Sequence, residues 1–154
     1  MTCGFMGHRD APNEVKKIME AMVDAVIEKG VKDFYVGNNG NFDLYAQQVL
    51  ERRCSKTSLQ YYILLSFPFE KALSGMQERT LYTEGLEKTP LKFAIAKRND
   101  YLIKKSDVLI VYQKYSFSNC YKLVERALRA GKIVINLAEV EKWENFDFLL
   151  DKVK

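Results

Sequence analysis

Histidine is nearly absent from this 154-residue chain: His8 is the only one. Cysteine is scarce and scattered, with Cys3, Cys54 and Cys120 and no C-x-x-C pair. A structural zinc site needs clustered sulfur or imidazole ligands, so none is expected. An odd, dispersed set of thiols fits a reducing compartment without disulfides. Three prolines and eight glycines are too few for a disordered or fibrous chain. No apolar run approaches the roughly 20 residues that span a bilayer, and no secretory leader pattern is visible at Met1. The expectation is a soluble, cytoplasmic protein without a membrane partner. Charge of one sign is also lacking in bulk: the net charge is +4, too small to imply nucleic acid by itself. Missing too are the dinucleotide fingerprint G-x-G-x-x-G and the nucleophile elbow G-x-S-x-G.

What is present is apolar material, 47% of the residues, in alternating periods. Residues 2–6 read as a strand. Val15, Ile18, Met19, Met22, Val23, Val26 and Ile27 recur at helical spacing in a helix opening near Asn13 and stopping at Gly30. Asp33–Val36 reads as a second strand. Phe42, Tyr45, Ala46, Val49 and Leu50 mark a second helix, and 59–65 a third strand. The stretch 66–89 is the least regular. It holds a short helix near Pro68–Leu73 and a short extended piece at Thr80–Tyr82, and suits a lid or an interface. Thr89 reads as an N-cap, with Pro90 opening a helix to about Lys105. Asp107–Tyr112 is an almost continuous apolar run, as in a strand covered on both faces. A helix from about residue 120 to Gly131, a strand at Ile133–Leu137 and a helical tail at 144–152 follow. Strands alternating with helices predict an α/β fold: a Rossmann-like three-layer α/β/α domain spanning 1–154, with a mostly parallel sheet.

Ligands of such sheets bind at the carboxyl ends of the strands. Three loops there lead into helices. Gly7-His8-Arg9 offers a cation beside a helix N-terminus, which attracts anions; the alternative is that Arg9 pairs with a surface carboxylate and His8 packs on a neighbouring strand. Gly37-Asn38-Asn39-Gly40-Asn41-Phe42-Asp43 offers amides and a carboxylate, or is simply a turn. Tyr115–Asn119 offers the hydroxyls of Ser116 and Ser118 and the amide of Asn119, all of which also serve as helix caps. Arg98, beside Asn99 in the fourth helix, either reaches over the sheet edge to a ligand or is solvated; periodicity favours the second. Cys120 and Arg126 share the C-x5-R spacing of phosphatase loops. The intervening Tyr-Lys-Leu-Val-Glu is helical rather than a glycine cradle, which argues against that chemistry.

Four segments together resemble the YpsA-like branch of the SLOG superfamily, which includes the DNA-processing protein A and Lonely Guy families. Phe5-Met6-Gly7-His8-Arg9 is similar to its opening strand and Gly-His-Arg turn. Val36–Asp43 resembles its S-G-G-a-x-G-F-D loop. Ala94-Ile95-Ala96-Lys97-Arg98-Asn99 with Ser106-Asp107 resembles F-A-I-x-x-R-N…S-D, and Gly131–Leu137 resembles G-K-x-V-I-N-L. The resemblance covers nearly the whole chain. It implies a pocket for a nucleotide or nucleotide-derived ligand, walled by Gly7, His8, Arg9, Gly37, Asn38, Asn39, Gly40, Phe42, Asp43, Arg98, Asn99, Ser116, Ser118 and Asn119. No cofactor and no metal is implied, and relatives often form homo-oligomers. The chain departs from the pattern at Asn38-Asn39 and in its third loop, which lacks paired glycines. Two further readings stand beside ligand binding. One is N-glycosidic hydrolysis of a nucleotide, with Asp43 or Glu125 as catalytic candidates and Arg98 holding phosphate. The other, less favoured, is single-stranded nucleic-acid binding.

Overall fold

The computed structural model describes residues 1–65, 80–82, 90–139 and 151. Alternate residues of β1 (Thr2–Gly7) point to opposite faces, so Cys3 and Phe5 enter one apolar cluster and Met6 another. Helix α1 (Val15–Glu28) follows, with its apolar stripe buried. It starts two residues after Asn13, because turns at Pro12 and Asn13 precede it. Next come β2 (Asp33–Val36), α2 (Asn41–Cys54), β3 (Gln60–Leu65) and β4 (Thr80–Tyr82). Helix α3 (Leu91–Lys105) opens after Pro90, which occupies the N-cap position itself. The chain continues through β5 (Val108–Tyr112), α4 (Asn119–Arg129), β6 (Ile133–Asn136) and a 3-10 turn at Leu137–Glu139. The short helix near Pro68, the Thr89 cap, the lid or interface role of 66–89 (Thr80–Tyr82 apart) and the helix at 144–152 lie outside the described residues.

The strands form one sheet in the order β4-β3-β2-β1-β5-β6, and every neighbouring pair is parallel. Phe5 stands opposite Ile110, in register between β1 and β5. All five residues of β5 are buried, as its apolar run requires. Val108 and Ile110 pack beneath α1 and α2, whereas Leu109 and Val111 pack toward α3 and α4. Each large apolar side chain so buried contributes about 1.5–3 kcal/mol. The result is a Rossmann-like three-layer α/β/α fold. Among the described residues no helix is long and apolar enough to cross a membrane, and no group of His, Cys, Asp and Glu could hold a metal. The three cysteines are buried and not joined in disulfides.

Strand order reverses between β1 and β5: the chain winds outward through β2 to β4 on one side and returns to β5 and β6 on the other. Loops leaving β1 and β5 therefore part to opposite faces and open a crevice at their carboxyl ends.

Candidate functional site

A cavity of about 250 Å³ occupies that crevice. The end of β1 contributes Gly7 and the loop after it His8 and Arg9; the loop after β2 and the first turn of α2 contribute Asn39 and Asp43; α3 contributes Ile95, Arg98 and Asn99. The start of α4 contributes Ser118, Asn119, Cys120 and Leu123. All three loops thus meet at one place, together with Arg98. Gly37, Asn38, Gly40, Phe42, Ser116 and Glu125 are not among the wall residues.

Charge is concentrated at Asp43, Arg98 and Arg9. Asp43 is 6% exposed and accepts a hydrogen bond from the Asn39 N–H at 3.0 Å. Burial raises its carboxyl from the usual 3.8 to about 6, against the opposing pull of Arg98, the Asn39 N–H and Arg9. Arg98 is buried, correcting the expectation of a solvated helix residue. Its Nε and Nη2 donate to Asn99 Oδ1 at 3.2 and 2.8 Å, which fixes the guanidinium plane. A Cβ on Gly37 would come within 2.5 Å of Arg98 Nη1 and 2.6 Å of Asp43 Oδ2. Glycine there lets both charged groups rest against the backbone. Gln47, one helical turn after Asp43, donates to the Gly37 carbonyl at 2.8 Å and holds the loop in place.

The first two loops are tied together at Gly40. Its φ of +94° favours glycine, and a Cβ would strike the Arg9 backbone. The next amide, Asn41 N–H, donates to the Arg9 carbonyl at 2.9 Å. Arg9 itself is exposed, its side chain at the rim.

His8 ties the first loop to the third. Its Nε2 accepts from the Lys114 N–H at 2.9 Å, and its ring packs on Tyr115 with centroids 4.9 Å apart. Burial lowers its pKa from 6.5 more than Asp10 raises it, which keeps the ring neutral. An imidazole whose lone pair is engaged this way is a latch and has no capacity left as a base. From the other side, Asn136 at the end of β6 pairs with both backbone groups of Gln113.

In the third loop, Ser118 Oγ accepts from the Tyr121 N–H at 3.1 Å and donates to the Tyr115 carbonyl. It borders the cavity while capping α4. Ser116 is an exposed turn residue, and Asn119 presents an exposed amide to the cavity.

Of the six expected residues that are off the wall, Phe42 and Glu125 have other roles. Phe42 has no exposed surface; it packs on Phe5 with centroids 6.5 Å apart, and its ring fills the space where a Gly7 Cβ would be. It belongs to the core. Glu125 is exposed on α4 and bonds the Tyr121 side chain. Val124, its buried neighbour, faces the sheet. Conversely, Cys120 and Leu123 line the cavity unforeseen. The Cys120 thiol is pushed up to about 12, first by burial and then by Asp43, so it stays protonated and inert.

No family model and no curated protein matches the chain. Among solved structures it is similar to DNA processing protein A (DprA) from Streptococcus pneumoniae, with a TM-score of 0.68 and 19% identity. The match covers 86% of this chain and 48% of that one, so the chain spans about half the length of DprA. The two share the Rossmann-like α/β fold.

Proposed function

We propose that the chain is a SLOG-type domain that binds a nucleotide or nucleotide-derived ligand at the carboxyl edge of its parallel sheet. The observation that carries this reading is the buried Arg98, fixed by Asn99 and aimed into a crevice at the strand-order reversal. Arg98 and Arg9 bring two positive charges against the single carboxylate of Asp43. An incoming phosphate meets a net positive pocket of low dielectric, where charge-assisted hydrogen bonds are strong. Similarity in fold to DprA, and the motif resemblance over the chain, are in keeping with this reading.

Thermal shift with a panel of nucleoside mono-, di- and triphosphates tests it. A true ligand at 100-fold its dissociation constant adds about 2.7 kcal/mol of stability. Arg9→Ala removes an exposed side chain and should weaken binding by about tenfold or more, the usual value of a charged hydrogen bond. No shift with any nucleotide, or full affinity in Arg9→Ala, refutes the assignment.

Asp43 favours a second reading, N-glycosidic hydrolysis. It is the one carboxylate on the cavity wall among the described residues, and its raised pKa suits a proton donor near neutral pH. Incubation with nucleoside monophosphates should then release free base, and Asp43→Asn should abolish the release. Unchanged turnover in that variant removes Asp43 from the chemistry.

A further inference from the structure

We infer that His8 is a pH-operated latch: proton uptake at Nε2 releases the loop between β5 and α4 and loosens one wall of the cavity. A backbone N–H only donates, so the Nε2 that accepts from Lys114 at 2.9 Å carries a lone pair, and the ring proton sits on Nδ1. The Tyr115 N–H donates to the same Nε2 at 3.5 Å. Protonation turns Nε2 into a donor facing donors, and neither amide can reverse its role. The ring and the loop must then part. The His8 backbone stays in place, because its N–H donates to the Tyr112 carbonyl and its carbonyl accepts from the Ala11 N–H. Gln113 stays pinned by Asn136, and Ser118 stays on α4 as its cap. The stretch set loose is Lys114–Phe117, all of it exposed, with Phe117 at 99%.

The surroundings set the direction of the switch. Burial disfavours the imidazolium more than Asp10 favours it, so the closed latch takes up its proton below the usual 6.5. Glu14, just ahead of α1, adds a negative charge felt at Tyr112. Against these stand three cations: Arg9 beside the ring, Arg98 on the same cavity wall, and Lys114 on the loop itself. Asp43, also on that wall, loses its charge near 6 and gives an imidazolium no support at lower pH. Tyr112 and Tyr115 face the ring with centroids 5.9 and 4.9 Å away, and burial raises the Tyr112 hydroxyl, which stays uncharged. An open latch has its ring in water and titrates near 6.5. Protons therefore favour the open form, whose share rises by up to about tenfold for each pH unit below 6.5 until the closed ring titrates too. His8, Ser118 and Asn119 all line the cavity, so the latch sets how firmly the loops after β1 and β5 are joined across it.

His8 is the sole histidine, so the imidazole signals in an NMR titration belong to one ring, and their midpoint should fall below 6.5. Amide exchange at about pH 5 and about pH 7.5, each rate corrected for the intrinsic rate at that pH, reads the loop. Protection of the Lys114 and Tyr115 amides should drop about tenfold at the lower pH, while the strand amides of β5 and the helix amides of α4 keep theirs. His8→Gln carries a carbonyl acceptor and does not titrate. Protection of those two amides should then be equal at both pH values, at whichever level the new side chain sets. Asp43→Asn removes the other group that titrates in this range and should leave the pH dependence intact. A ring midpoint at or above 6.5, or wild-type protection of the two amides that ignores pH, overturns the latch. So does a pH dependence that survives His8→Gln or vanishes in Asp43→Asn, and so does a loss of protection that spreads equally through β5 and α4.

Discussion

Asp43 carries more than its share of the site's energetics. Its carboxyl is buried and titrates near 6 in the folded chain, against 3.8 when exposed. Below pH 3.8 it is neutral in both states and contributes nothing. Between about pH 4 and 6 the unfolded chain ionises first, so native stability falls as pH rises. Above 6 the penalty is constant, about 3 kcal/mol for a shift of this size. Asp43→Asn keeps an oxygen acceptor for the Asn39 N–H and removes the charge. The variant should therefore gain on the wild type by up to about 3 kcal/mol between pH 4 and pH 8 in urea unfolding, while losing turnover if Asp43 is a proton donor. An equal difference at the two pH values would show that the native carboxyl titrates normally.

At the scale of elements, the loop from β5 into α4 is held from three sides: His8, Asn136 and the Ser118 cap. The cap has no substitute, because the first turn of α4 contains no acidic residue. Ser118→Ala should cost about 1 kcal/mol, and Ser118→Asn should restore most of it; chemical denaturation measures both. A cost confined to ligand affinity, with stability unchanged, would mean that Ser118 serves the cavity and not the helix. The elements themselves were largely legible. The unbroken apolar run of β5 announced a strand covered on both faces, and the loops at the strand ends are the loops that meet. Arg98 was hidden from periodicity because α3 buries polar and apolar residues in one stripe, with Ala94, Arg98, Asn99, Leu102 and Ile103 together. Counting apolar positions skips the middle of that stripe, and only the motif resemblance singled Arg98 out. Phe42 misled for a different reason. A residue flanking a ligand loop reads as its wall, and nothing local reveals that its ring passes under Gly7. The position of Glu125, beside Val124 rather than in line with Cys120 and Ala127, was readable from helical spacing alone.

On the scale of the whole molecule, the sheet separates two apolar clusters, one beneath α1 and α2 and one beneath α3 and α4. Among the described residues the cavity is the place where charged groups from both layers converge: Asp43 from α2 on one side, Arg98 from α3 on the other. A phosphate seated between Arg9 and Arg98 would tie the layers together across the β1–β5 crevice. Ligand binding should then slow amide exchange in α2 and in α3 alike, because opening either layer requires release of the ligand. At saturation near 100-fold the dissociation constant, amides that exchange by global unfolding should gain about 2.7 kcal/mol of protection in both layers. Hydrogen exchange with mass-spectrometric readout measures this element by element. Protection limited to α1 and α2, with α3 and α4 unchanged, would move the ligand off the crevice and onto one face of the sheet.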